Sequence, residues 1–109
     1  MDHEELLRRL TINDLRIDDG RGLECETFSP RDRALARLAA AVAVGAPDAT
    51  YGAEVDAAVA AGIGAAEVVD VLVAVAPVVG LPTVVAAAPR VASALGLEPV
   101  EGWGDHPGG

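Results

Sequence analysis

The chain has 109 residues, enough for one compact domain and too few for a self-contained multidomain enzyme. Hydrophobic residues make up 51% and charged residues 23%, so the composition is not that of a disordered protein. The net charge is −9 and all eight basic residues are arginine, which argues against the basic face that binding to nucleic acid requires.

The apolar content comes mostly from Ala and Val, and only 3% of the residues are aromatic. Small side chains bury little area each, so a monomeric core is thin and the sequence favours a homo-oligomer. The single cysteine, Cys25, allows neither an intramolecular disulfide nor a Cys-His zinc cluster, and we expect no metal and no cofactor. The acidic start of the chain lacks the basic region of a signal peptide, which predicts a cytoplasmic protein.

Helix-boundary signals organise the chain. The sharpest is Ser29-Pro30, an N-cap residue followed by a proline preset for the first helical turn. Gly45 is expected to end that helix. The predicted helices span residues 2–10, 30–44, 49–61 and 65–79, with a last helix that follows Gly80-Leu81-Pro82 and ends near Leu95. The chain thus divides into an N-terminal helix and loop (1–28), a helical domain (29–96) and a flexible C-terminal tail (97–109).

An uncharged run of nineteen residues extends from Val71 to Pro89. Its length alone would suit a membrane-spanning helix, but Pro77, Gly80 and Pro82 divide it into two short arms. Pro77 is expected to kink the first arm or to end it near Ala76. Helices that are apolar all round must be surrounded by protein when they are not in lipid. We therefore expect no membrane contact, and a helical hairpin that is buried by other subunits.

Five segments in register resemble the carboxymuconolactone decarboxylase family. They are residues 29–35 (SPRDRAL), 45–47 (GAP), 57–62 (AAVAAG), 67–72 (EVVDVL) and 76–82 (APVVGLP). The resemblance implies an all-α, AhpD-like helical domain with a central antiparallel helical hairpin that assembles into trimers or hexamers. Activities known in the family are cofactor-free decarboxylation of a carboxylated lactone and, in the alkylhydroperoxidase branch, peroxide reduction by a Cys-x-x-Cys motif with a nearby His.

The chain departs from the family in the residues of the peroxidase branch. Residues 46–50 (APDAT) stand where the two cysteines would be, and Glu54 stands in place of the His. Without a dithiol, that peroxidase cycle is not expected. Cys25 leaves a one-cysteine peroxidase as a further hypothesis, against the simpler interpretation of an inert thiol.

The candidate site residues are Glu54, Tyr51 and Arg33. Tyr51 lies three residues before Glu54, a spacing that predicts one shared helix face, and Glu54 would transfer a proton if that face lined a pocket. Arg33 matches the arginine of the Pro-x-x-Arg that opens the helix in the family, and Arg37 follows four residues later. The two arginines would either hold a carboxylate or form structural salt bridges. Arg90 is expected to pair with an acid such as Asp70 or Glu67.

These residues support two hypotheses of different classes. The first is a cofactor-free lyase, a decarboxylase acting on a small carboxylated or carbonyl compound, which makes a small acidic substrate the expected ligand. The second is a catalytically degenerate scaffold whose task is oligomerisation or binding. An enclosed pocket that contains Glu54 would favour the first.

Overall fold

The structure is a computed structural model that describes residues 2–12, 25 and 27–97. These residues form helices and no strand, which confirms the predicted all-α class. The helices in chain order are α1 (His3–Thr11), α2 (Pro30–Val44), α3 (Asp48–Ala60), α4 (Ala65–Val79) and α5 (Leu81–Ala94).

The predicted boundaries of α2 are confirmed by its capping contacts. Ser29 Oγ accepts a hydrogen bond from the backbone N–H of Asp32 at 3.0 Å, and Pro30 occupies the first turn. Gly45 ends the helix in the left-handed region, with φ 64°. Its N–H and that of Ala46 donate to carbonyls of the last turn of α2, so the chain can turn sharply into α3.

The proline in α4 does not end that helix near Ala76. Helix α4 continues for three more residues, to Val79, as the predicted range of 65–79 required. Pro77 lies in the last turn, so its missing N–H removes only one hydrogen bond close to the helix end. Gly80, with φ 90°, donates its N–H to the carbonyl of Ala76 at 2.9 Å and alone separates α4 from α5.

Helices α2 to α5 form a bundle in which α2 packs on α3 and α4, and α5 packs on the same two helices. Helices α4 and α5 form the central hairpin, in which the two arms pack against each other across a one-residue connection. The largest fully buried side chains are those of Tyr51, Leu38, Val42, Val55, Val68 and Val91. Within the described ranges, no helix combines the length and the apolar character that a membrane crossing requires.

Two apolar surfaces remain open on this bundle. The first, which we call the hairpin face, carries exposed aliphatic side chains from both arms of the hairpin: Val69 and Val73 on α4, and Leu81 and Val85 on α5. The second belongs to α1, which buries none of its residues. Neither surface is covered by the part of the chain that the structure describes.

Candidate functional site

Helices α2 and α3 border a pocket of about 420 Å³ that is open to solvent and contains two arginines and an acid. Arg33 and Arg37 come from successive turns of α2, because residues four apart lie on the same helix face. Glu54 comes from the middle of α3. The rest of the wall is apolar and consists of Pro30, Ala34, Ala53, Ala57, Ala60 and Ala61. We call this cavity the arginine pocket.

A two-pronged ion pair joins the helices inside the arginine pocket. Arg37 Nη2 donates to Glu54 Oε1 at 2.9 Å, and Arg37 Nε donates to Glu54 Oε2 at 3.1 Å. The hydrogen bond from Arg37 to Glu54 raises the pKa of Arg37 above its ordinary value, and the negative charge of Glu54 adds to the effect. The Glu54 side chain is only 12% exposed, whereas that of Arg37 is 64% exposed. Glu54 therefore depends on Arg37 for its counter-ion, while Arg37 remains open to solvent.

The arrangement leaves hydrogen-bond donors available in the arginine pocket. Glu54 occupies the edge of the Arg37 guanidinium formed by Nε and Nη2, so the end that carries Nη1 stays free of Glu54. Arg33 is exposed and forms no ion pair with any other described residue. Two guanidinium groups on one face, one of them fixed in direction, can bind a planar carboxylate or an oxyanion.

The structure does not bring Tyr51 into the arginine pocket. Tyr51 is buried in the core, and its hydroxyl donates to the Ala41 carbonyl at 3.3 Å. It borders a different, open cavity of about 640 Å³ between the start of α3 and helix α5. Of the three candidate site residues, Glu54 and Arg33 therefore share a pocket, and Tyr51 lies outside it. Arg37 is the third charged residue of the pocket. Its position four residues after Arg33 predicted that both arginines lie on one face of α2.

The prediction for Arg90 is wrong in its partner. Arg90 Nη1 donates to the Ala46 carbonyl at 2.9 Å and Arg90 Nε lies 3.1 Å from Asp48 Oδ1. The first turn of α3 follows directly on the turn that contains Ala46, so one arginine on α5 reaches both groups. Glu67 pairs instead with Arg31 of α2.

The positions of the family's cysteines hold no thiol in this chain. Residues 46–50 form the turn before α3 and its first residues, with Pro47 in the N-cap position. Cys25 is exposed and lies near Arg37. Among residues 2–12, 25 and 27–97, no three metal-binding side chains come together.

Comparison with known proteins identifies the family. The family model for the Carboxymuconolactone decarboxylase family matches residues 19–93, which is more than half of the chain. No curated protein and no solved structure matches. The matched residues include all three members of the arginine pocket's charged group.

Proposed function

The chain belongs to the carboxymuconolactone decarboxylase family, and we propose that its arginine pocket binds a small carboxylated compound and decarboxylates it without a cofactor. The observation that carries the proposal is the pair of arginines with free donors in a cavity whose remaining wall is apolar. A cavity of about 420 Å³ lies within the range of small-molecule sites.

In this proposal the arginines bind the part of the substrate that remains after CO₂ is released, and not the carboxylate that is lost. A guanidinium bound to the departing carboxylate would stabilise the reactant and slow its loss as CO₂. In the proposed complex, Arg33 and the free end of Arg37 hold a second carboxylate or a carbonyl oxygen, and the departing group faces the alanine wall. When its C–C bond breaks, the electron pair moves onto the carbonyl oxygen as an enolate. The nearby positive charge stabilises that oxygen, and water in the open pocket returns a proton to carbon.

Glu54 has a different role in this proposal from the proton donor that its position in the sequence suggests. Both oxygens of the Glu54 side chain are occupied as acceptors of N–H groups of Arg37. These contacts to Arg37 fix the direction of the guanidinium instead, so Glu54 is a positioning residue. Losing it would leave Arg37 charged but free to rotate.

We also propose that the protein assembles into a homo-oligomer, a trimer or hexamer, through the hairpin face. The bundle's core uses mostly Ala and Val, while aliphatic side chains such as Val73 and Leu81 stay exposed on the hairpin. The same face favours the alternative function, an oligomeric scaffold without catalysis. Introducing a charge by Val73→Asp should dissociate the oligomer, whereas Val59→Asp, an equally charged change at an exposed site on α3, should not.

The function is tested by binding and turnover together. Succinate serves as the binding probe, followed by NMR, and CO₂ release is measured from a panel of β-keto acids and carboxylated lactones that includes oxaloacetate. Arg33→Gln should weaken succinate binding by about tenfold to a hundredfold, the loss of a charged hydrogen bond of about 1.5–3 kcal/mol. Arg8→Gln is the matched control, because it removes the same charge from α1.

The outcomes separate the two functions. Accelerated CO₂ release that falls in Arg33→Gln and not in Arg8→Gln supports the decarboxylase. Binding of succinate that is equal in both variants contradicts the assignment of the arginine pocket. An intact oligomer that neither binds nor decarboxylates any acid of the panel favours the scaffold.

A further inference from the structure

Helix α1 carries a leucine stripe that nothing in the described structure covers. Leu6, Leu7 and Leu10 fall on one side of the helix because they are spaced by three and four residues. Leu7 is 65% exposed and Leu10 is 51% exposed. Arg9 flanks the stripe near the C-terminal end of α1, where its Nε donates to Glu5 Oε1 at 3.0 Å. Such a helix is stabilised mainly by packing of its apolar side, so the stripe requires a partner surface.

A groove of matching character runs between α2 and α4. Its volume is about 460 Å³, and its floor consists of small and aliphatic side chains: Leu35, Ala36, Ala39, Val71, Ala74 and Val75. Two acids, Glu67 and Asp70, stand at the end that lies near the N-termini of both helices. Glu67 is paired with Arg31, whereas Asp70 is exposed and has no ion-pair partner among the described residues. We call this surface the α2/α4 groove.

Helix α1 fits the α2/α4 groove in length, shape and charge. Nine residues of helix are about 13 Å long, and the stretch of α4 from Glu67 to Val75 that lines the groove is also nine residues long. Leucine side chains can enter the space above alanines, as a helix enters a groove in other recognition modes. With α1 antiparallel to α4, Arg9 comes to lie beside Asp70, where opposite charges attract.

We infer that α1 of one subunit docks in the α2/α4 groove of a second copy of this chain. Within one chain both surfaces stay open, so neither covers the other there. When two copies exchange their α1 helices, the leucine stripe of each copy and the α2/α4 groove of the other are covered together. The groove shares α4 with the hairpin face, since Asp70 and Ala74 neighbour Val69 and Val73 in the helix, so the exchanged helix would extend that proposed interface.

Disulfide trapping between two separately purified variants tests the exchange. One variant carries Leu6→Cys and the other Ala74→Cys, both with Cys25→Ser and with tags of different size. After mixing under mild oxidation, we expect a mixed disulfide-linked dimer as the main cross-linked species. The control pairs Leu6→Cys with Val59→Cys, an exposed position on α3 outside the groove. Absence of the mixed dimer, or an equal yield in the control, overturns the inference, and docking of α1 in its own groove would give the first result.

Charge reversal provides an independent readout. Arg9→Glu and Asp70→Arg should each raise the dissociation constant of the assembly, measured by sedimentation equilibrium, by up to about fivefold. The combined variant should recover most of the affinity that Arg9→Glu loses, the remainder being the loss of the ion pair between Arg9 and Glu5 within α1. Additive weakening in the combined variant contradicts the contact between these two residues.

Discussion

Replacing Arg37 by Gln should destabilise the fold more than replacing its partner Glu54 by Gln, although both changes break the same ion pair. The asymmetry comes from burial, because the Glu54 side chain is 12% exposed and that of Arg37 is 64% exposed. In Arg37→Gln a nearly buried carboxylate loses its counter-ion. In Glu54→Gln the arginine that remains is already in contact with water, which can solvate it.

The size of each effect follows from these two environments. Leaving a fully buried charge without its partner costs about 3–5 kcal/mol. The arginine pocket is open to water, so we expect a smaller free-energy loss, of about 1–2 kcal/mol, for Arg37→Gln. Glu54→Gln should cost less than about 1 kcal/mol, because it loses an ion pair with an exposed partner and keeps an amide oxygen that can still accept from Arg37.

The assay is urea unfolding of both single variants and the double variant, followed by circular dichroism at a fixed protein concentration. The concentration matters because assembly would contribute to the measured stability. The double variant should be more stable than Arg37→Gln alone, since it no longer contains an unpaired carboxylate. A larger loss for Glu54→Gln than for Arg37→Gln would refute the assignment of Glu54 as the dependent partner.

Three further changes test the remaining contacts. Ser29→Ala should lower the free energy of unfolding by about 1 kcal/mol through loss of the α2 N-cap, whereas Ser93→Ala, at an exposed site in α5, should have little effect in the same urea assay. Tyr51→Phe should leave succinate binding unchanged and cost less than about 1.5 kcal/mol, because the Ala41 carbonyl still accepts a backbone N–H; weakened binding would contradict its place outside the pocket. Hydrogen bonds from the two arginines of α1, with their charges, lower the pKa of Glu5 from 4.5 to about 2, so its stabilisation of α1 is complete above about pH 4.5 and is lost as the pH falls to about 2. A carboxyl titration of Glu5 by NMR with a midpoint near 4.5 would refute this contact.

The bundle could be predicted from the sequence because its helix ends depend on local chemistry. Ser29 and Gly45 act through hydrogen bonds and backbone angles within a few residues, so the residue types alone identify the boundaries. For Pro77 the sequence allows two outcomes, a kink in the helix or an end near Ala76. Whether a proline ends a helix depends on how many residues follow it before the next break, and Gly80 makes that number small.

The arrangement of the site could be predicted only in part, since it depends on which side of each helix the bundle buries. The spacing of Tyr51 and Glu54 predicted one shared face, but the buried side of α3 is centred on Tyr51, Val55 and Ala58. Glu54 lies at the edge of that side and turns towards α2. The pairing of Arg90 failed for a related reason, because it joins α5 to residues more than forty positions earlier in the chain. No local pattern contains that information.

The high alanine content explains three features of the structure: the thin core, the apolar wall of the arginine pocket and the open α2/α4 groove. Alanine side chains are small enough for α2 and α3 to pack closely. At the arginine pocket they form a wall that offers a ligand no side-chain hydrogen bonds and little apolar contact area. In the proposed complex, affinity therefore depends on the few charged groups, and on the direction in which Glu54 holds Arg37. Alanines on α2 and α4 likewise leave the α2/α4 groove wide enough for leucine side chains from outside. A core that is poor in large residues is in keeping with the proposed assembly, in which the hairpin face and the leucine stripe supply apolar contacts between subunits.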